Sequence, residues 1–428
     1  MKERSKNIII NELYWIILLF PLWWILGVEQ FFWFLSITCI FLQFLFFNKL
    51  KFHVNLVIIF FSVFLFIYGI SFFAITEKMR YITYFRNVST YITSFMLLVI
   101  TWNVIDKWGQ IEKLLKAIII VMVIASIIAI AAFSSEYFRL TFKSATGYIL
   151  PSFISNTGYG GVIANRNVGY LNWFFGLGNY FRPSSLFLYS TMFASTLAIT
   201  LPVAMFFRNI SSGRKKIFYS FVIVLLTMAL VFTTGRVAIL SFILAYFIFI
   251  FFKIRSMAIK TLFILFLIFI SLLFLFWLHD TGLLYLIIDF VLNARGEGSV
   301  NTRGKIYIET FNNFLERPFF GWGTERDIMG LAYPLGSHSY YLGTLYKQGI
   351  TGFFCFILVI YSLWKNTKIR NIEKSNFNVF NRYGRLIILV FIFNSFTDVM
   401  DLDATTMLFI WLLFSLLLVS KKLYIKNL

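Results

Sequence analysis

Thr302–Gly352 reads TRGKIYIETFNNFLERPFFGWGTERDIMGLAYPLGSHSYYLGTLYKQGITG. It is polar, carries arginines and a histidine, and lies between strongly apolar runs. Backbone groups left unpaired in hydrocarbon are costly, so such a stretch cannot cross lipid and must fold outside the bilayer, over its surface. Within it, Tyr307, Phe311, Phe314 and Leu315 recur at helical spacing. That spacing predicts an amphipathic helix over 305–317, with an apolar face for lipid or for packing, stopped by Pro318.

The rest of the chain explains why this segment stands out. Its 428 residues are 60% hydrophobic and only 13% charged, with a mean hydropathy of +0.83. Soluble domains carry about 25% charged residues, so the chain reads as an integral membrane protein. A helical span needs roughly 20 apolar residues. About twelve are predicted, over 8–26, 31–47, 54–75, 81–103, 115–133, 186–206, 217–233, 237–252, 259–277, 349–365, 386–398 and 403–420. The expected fold is an all-α polytopic bundle, one transmembrane domain over 1–428. No small-x-small cleavage site follows the N-terminal MKERSK, so the first apolar run is expected to stay as a helix. Cys39 and Cys355 fall in predicted spans and imply neither a disulfide framework nor a thiolate metal site.

Lys and Arg favour cytoplasmic loops. Segments 2–6, 49–51, 107–116, 208–216, 253–260, 365–385 and 421–426 hold 24 of the 38 basic residues, against 3 in the intervening short loops 27–30, 76–80, 233–236 and 398–403. The alternation is unbroken, which places both termini in the cytoplasm of a multi-pass cytoplasmic-membrane protein. The formal charge of +20 is then mostly this orientation signal plus attraction to anionic membrane lipids; nucleic acid is not an expected partner. Two long segments remain for the outer face, 134–185 and 278–348, and long loops need a functional reason.

Candidate chemistry lies in those loops. His338 sits in Gly336-Ser337-His338-Ser339-Tyr340-Tyr341-Leu342, at the expected start of a surface helix; a neutral imidazole there can take a proton from a hydroxyl. Arg236 ends Thr233-Thr234-Gly235-Arg236 at the mouth of the eighth span. It can grip two phosphate oxygens or simply anchor the helix end. Arg303 follows a predicted Gly296–Asn301 turn and precedes the helix. Arg295, Arg317 and Arg326 read as surface or interfacial charges. Arg182, in Asn179-Tyr180-Phe181-Arg182-Pro183, closes the first long loop, where Tyr159, Tyr170, Trp173 and Tyr180 mix with Gly and Asn in a composition suited to sugar stacking or to an ordinary folded loop. Asp398 and Asp401-Leu402-Asp403 lie between the last two spans. Asp-x-Asp is short enough to arise by chance, no ligand set converges in sequence, and neither metal nor cofactor is expected. One aspartate, Asp398, is the preferred partner for an Arg or for His338. Arg86, within the fourth span, needs a partner or a polar cavity.

The order Arg303, helix 305–317, Pro318–Gly323, His338–Leu342 and Gly349–Gly352 resembles the C-terminal signature of the O-antigen ligase and Wzy polysaccharide polymerase superfamily. That signature is an Arg, a short helix, a Pro-aromatic-Gly-Trp/Val-Gly turn, His-Asn-x-x-Leu and Gly-x-x-Gly. Two departures stand out: the family's His-Asn is His338-Ser339, and the Ser before the earlier Arg is Gly235. The resemblance is loose from Arg182 onward and sharp over 302–352. It implies a GT-C-like, metal-independent inverting glycosyltransferase acting at the outer face. Its donor and acceptor would be undecaprenyl-diphosphate-linked glycans, with a flippase and a chain-length regulator as partners. His338 would be the base, Arg236, Arg303 and Arg182 would hold the diphosphate, and Asp398, Ser339 and Tyr340 would support them. Polymerase for capsule, exopolysaccharide or O-antigen is the first reading, ligase the second. A flippase or other transporter is the third, and it would require charges lining a passage through the membrane.

Overall fold

The computed structural model describes residues 3–48, 52–174, 178–254, 256, 261, 298–331, 333–367 and 375–426. The ninth expected span, 259–277, and positions 278–297, including Arg295, lie outside the described residues. The chain opens with α1 (Glu3–Leu18), α2 (Phe20–Leu26), α3 (Glu29–Phe47), α4 (Leu56–Ser71), α5 (Lys78–Val104) and α6 (Trp108–Ser134). After α6 come three short helices, α7 (Ala145–Ile149), α8 (Ser152–Ser155) and α9 (Gly158–Ala164), then α10 (Ser190–Ile210), α11 (Gly213–Phe232) and α12 (Arg236–Lys253). The described C-terminal part is α13 (Gly298–Glu316), α14 (Tyr340–Asn366), α15 (Asn376–Asn394) and α16 (Ala404–Lys426).

Among these, seven helices are long and apolar enough to cross a membrane, or eight if the bent pair α1 and α2 forms one span; α12 is a shorter apolar helix. The protein is a helical, polytopic membrane protein. Its interior is built on α10 and α16, whose apolar windows are 89% and 83% buried, whereas only 22% of α11 is. Hydroxyls inside α10 turn back on their own helix: Ser195, Thr196 and Thr200 donate to the carbonyls of Thr191, Met192 and Thr196. This satisfies polar groups locally where no water reaches them.

Residues of the basic segments 2–6, 107–116, 365–385 and 421–426 meet one another or their neighbours. Lys6 pairs with Asp106 at 2.8 Å and Lys107 with Glu3, while Lys422 donates to the Trp102 carbonyl and Lys421 to that of Lys365.

The expectation of an all-α chain needs one correction. The 134–185 segment builds two antiparallel pairs. Strand β1 (Thr141–Lys143) meets β2 (Asn165–Asn167), and β3 (Gly169–Phe174) meets β4 (Gly178–Pro183) with Tyr170 opposite Arg182. Aromatic residues favour the strands of such hairpins, and Gly and Asn the turns. The sixth expected span, α10, also starts late, at Ser190 rather than 186, because Ser184 and Ser185 give their amides to the Val168 carbonyl and Ser185 is left-handed (φ 50°).

Candidate active site

Helix α13 begins at Gly298, so the turn expected over 296–301 is helical from 298 onward and Arg303 lies inside the helix. Its apolar residues divide between the interior and the surface. Ile306 is fully buried and Phe314 nearly so, while Phe311 and Leu315 are exposed, and Tyr307 turns toward the His338 loop. The helix is followed by Pro318–Gly323, which docks onto a break in α14. At Gly349 the backbone leaves helical geometry (φ 69°, ψ −174°), freeing carbonyls one turn earlier. Trp322 and Gly323 donate their amides to the carbonyls of Tyr346 and Lys347 at 2.9 and 2.8 Å, and Ile350 donates to Pro318 at 2.7 Å. A Cβ on Gly349 would sit 2.2 Å from the Phe319 carbonyl oxygen, and one on Gly321 would sit 2.5 Å from that of Tyr346. Both glycines have positive φ, so sterics and backbone geometry alike demand glycine there. Trp322 is held between the guanidinium groups of Arg317 and Arg326, at 4.2 and 4.1 Å. Arg326 is therefore more than the surface charge expected of it; it also bonds Asn313.

His338 stands two residues before α14, half-buried and left-handed (φ 63°). Ser339 caps the helix, its hydroxyl accepting from the Leu342 amide at 3.3 Å. The imidazole lies edge-on to Tyr333, with ring centroids 4.6 Å apart, and its buried Nε2 has no hydrogen-bond partner among the described residues. Burial, and then the charge of Arg303, lowers the imidazole from its usual 6.5 to about 4. It is neutral at pH 7 and can accept a proton.

Arg182 is buried, and its Nε donates to the Thr233 carbonyl (3.1 Å) and the Thr234 hydroxyl (2.8 Å). That ties the end of β4 to the turn that launches α12 from Arg236. Gly235 stands there because its Cα approaches Ala194; a Cβ would lie 2.5 Å from the Ala194 methyl. Burial depresses Arg182 to about 10, with the Asp398 carboxylate opposing and Arg236 and Arg303 reinforcing that shift. Arg182 Nη2 is buried without a partner among the described residues. Arg303 also acts on Arg236 and Tyr307, and the Ser195 hydroxyl donates to Asp398 at 3.5 Å. Arg182, Arg236, Arg303, His338 and Asp398 thus share one electrostatic neighbourhood. The three like-charged guanidinium groups repel one another and suit an anion, and one of them, Arg303, also acts on the neutral base.

Tyr340 belongs elsewhere. Its hydroxyl is hydrogen-bonded to that of Tyr91 (3.0 Å), which donates to the Asp401 carboxylate. Asp401 and Glu325 flank Lys347 at 2.5 and 3.2 Å, and Asn87 donates to Glu325 at 3.0 Å. Arg86 completes this network: it donates to the Asn87 side-chain oxygen at 3.0 and 2.8 Å and stacks 4.7 Å from the Tyr159 ring. A neighbouring set joins Glu29, Arg166, Gln30 and Asp403. Tyr159, offered by composition as a sugar-stacking ring, is thereby committed to Arg86 and Gln30. Sequence reasoning missed Lys347 and Glu325 because charges within or beside an apolar run look isolated until their partners, 54 and 22 residues away, fold onto them. It missed Thr310 and the role of Tyr307 too, although Arg303, Tyr307 and Thr310 follow i, i+4, i+7 spacing.

Residues 221–357 match the family model Wzy_C, described as O-Antigen ligase. The match spans Arg236, Arg303, the 318–323 turn, His338 and the Gly349 break. No curated protein matches the chain.

Proposed function

We propose that the protein is a glycan polymerase, a reading supported by the match of residues 221–357 to the Wzy_C model, described as O-Antigen ligase. It joins undecaprenyl-diphosphate-linked repeat units of a capsule, exopolysaccharide or O-antigen at the outer face of the cytoplasmic membrane, with both termini cytoplasmic. The observation that carries this reading is the neutral His338, its Nε2 unpartnered, beside Arg303 in the neighbourhood of Arg182 and Arg236. An acceptor hydroxyl oxygen attacks the anomeric carbon and its proton passes to His338. The bond from that carbon to the diphosphate oxygen breaks, and its electron pair leaves with the lipid diphosphate, inverting the centre. Charge grows on the departing oxygens, where the guanidinium groups stabilise it; the arginines supply this without a metal. A diphosphate needs no general acid to leave, so positioning two large substrates is the main task. The contacts that bring segments 2–6 and 107–116 together, and Lys422 onto Trp102, support the orientation. Transport is less well supported: Lys347, Asp401, Asp403 and Glu29 are at most 2% exposed, closed in by packing rather than lining a passage.

The family description, O-Antigen ligase, favours a second reading, in which the acceptor is lipid A core or another non-repeat molecule. The glycan pattern of cells lacking the protein separates the two. A single repeat on its normal acceptor with no ladder means polymerase, and long chains that stay on undecaprenyl diphosphate mean ligase.

Two further results are expected. Arg303→Lys keeps the charge but loses the planar fork, and turnover should fall about 10- to 100-fold; full turnover would make Arg303 a surface charge. The pH profile should split. With the imidazole held near 4 in the free enzyme, kcat/KM should stay flat from about pH 8 to 5 and decline below. A bound diphosphate offsets Arg303 and lifts the imidazole toward its ordinary value, so the kcat limb should lie at higher pH. Coincident limbs would contradict the assignment of His338 as base.

A further inference from the structure

We propose that Tyr307 is a positioning residue for His338, its hydroxyl fixing the backbone from which the imidazole projects. The inference rests on the catalytic reading of His338. Tyr307 donates to the His338 carbonyl at 2.8 Å. That carbonyl belongs to a residue in the left-handed region, which side-chain-bearing residues avoid unless neighbours impose it. Here the neighbours do so from several directions. Thr310, fully enclosed, accepts the Gly336 amide at 3.1 Å. The Ser337 hydroxyl donates to the Pro334 carbonyl at 2.6 Å, and the Tyr340 amide is taken by the Ser395 carbonyl at 2.9 Å.

The sequence logic is compact. Arg303, Tyr307 and Thr310 fall on one face of α13 at i, i+4 and i+7. One rigid helix therefore presents a guanidinium toward the imidazole and holds the loop bearing that imidazole at two points, Gly336 and His338. The spacing between base and phosphate ligand is set by a single element, not by two loops that could drift apart. Tyrosine suits the position because its ring reaches from the helix to a backbone oxygen while its apolar body packs at the surface.

The test is Tyr307→Phe, which keeps the ring and removes one hydroxyl, in the full-length protein purified in detergent. The expected result is a fall in kcat of about 10- to 100-fold, as for a misplacement near 1 Å, with KM changed by less than about two-fold. Melting temperature and gel-filtration profile should match the wild type. Added to His338→Ala, Tyr307→Phe should cause no further loss, since it acts through the imidazole. Wild-type kcat in Tyr307→Phe, a loss that merely tracks the folded fraction, or additional loss in the His338→Ala background would each overturn the proposal. The underlying reading fails separately: if His338→Ala itself turns over normally, His338 is not the base, whatever Tyr307→Phe does.

Discussion

Replacing His338 with alanine should stop glycan chain growth, lowering turnover by at least about 100-fold, the usual contribution of a positioned general base. The protein should still accumulate in the membrane. The imidazole makes an edge-on contact with Tyr333, whereas the loop is held by bonds to its backbone and to Ser337, which alanine at 338 leaves in place. Cells carrying the variant should therefore show the glycan pattern of cells lacking the protein, with the protein itself present at normal level. Near-normal chain length would remove His338 from the chemistry, and the cationic cluster would then be a binding site only.

The second large effect should be on stability. Lys347→Met should destabilise the fold by about 3–5 kcal/mol, because it leaves Glu325 and Asp401 buried without their cation. The loss should appear as a lower melting temperature in detergent and less folded protein in the membrane. Glu325 bears the consequence most directly. Burial alone would raise its carboxyl, yet Lys347, Arg86 and the Thr324 hydroxyl together hold it down at about 2. Neutralising all three partners, as Lys347→Met with Glu325→Gln and Asp401→Asn, should recover much of the loss, since no net charge is then stranded. Wild-type stability in Lys347→Met alone would mean that the ion pairs do not hold the signature turn against α14.

The sharpest part of the sequence reading was the segment where one property dominates. A polar, Gly- and Pro-punctuated stretch between apolar runs can adopt few arrangements at a membrane, and its helix, turn and His338 stand where expected, whereas Arg303 lies inside the helix rather than before it. Apolar length likewise set most helices. Each expected span outside the undescribed 259–277 falls largely on a helix, with ends displaced where side chains capture backbone groups, as at Ser184–Ser190. Strands escaped notice because two short hairpins carry little periodicity, and the turn before Arg303 was absorbed into α13, whose start local Gly and Ser residues obscured.

Local sequence marked this chain as a membrane protein, separated its apolar helices from the polar segments between them, and placed Arg303, His338 and Gly349 in one stretch. Tertiary structure alone decided which arginines share the neighbourhood of His338, that Tyr340 serves the Lys347 network rather than the imidazole, and that Arg86 answers to Asn87, Tyr159 and Glu325. The physical reason is range. Hydropathy and backbone preference are written residue by residue, whereas a buried charge is stable only beside a partner brought from far along the chain, and its environment exists only after the helices pack.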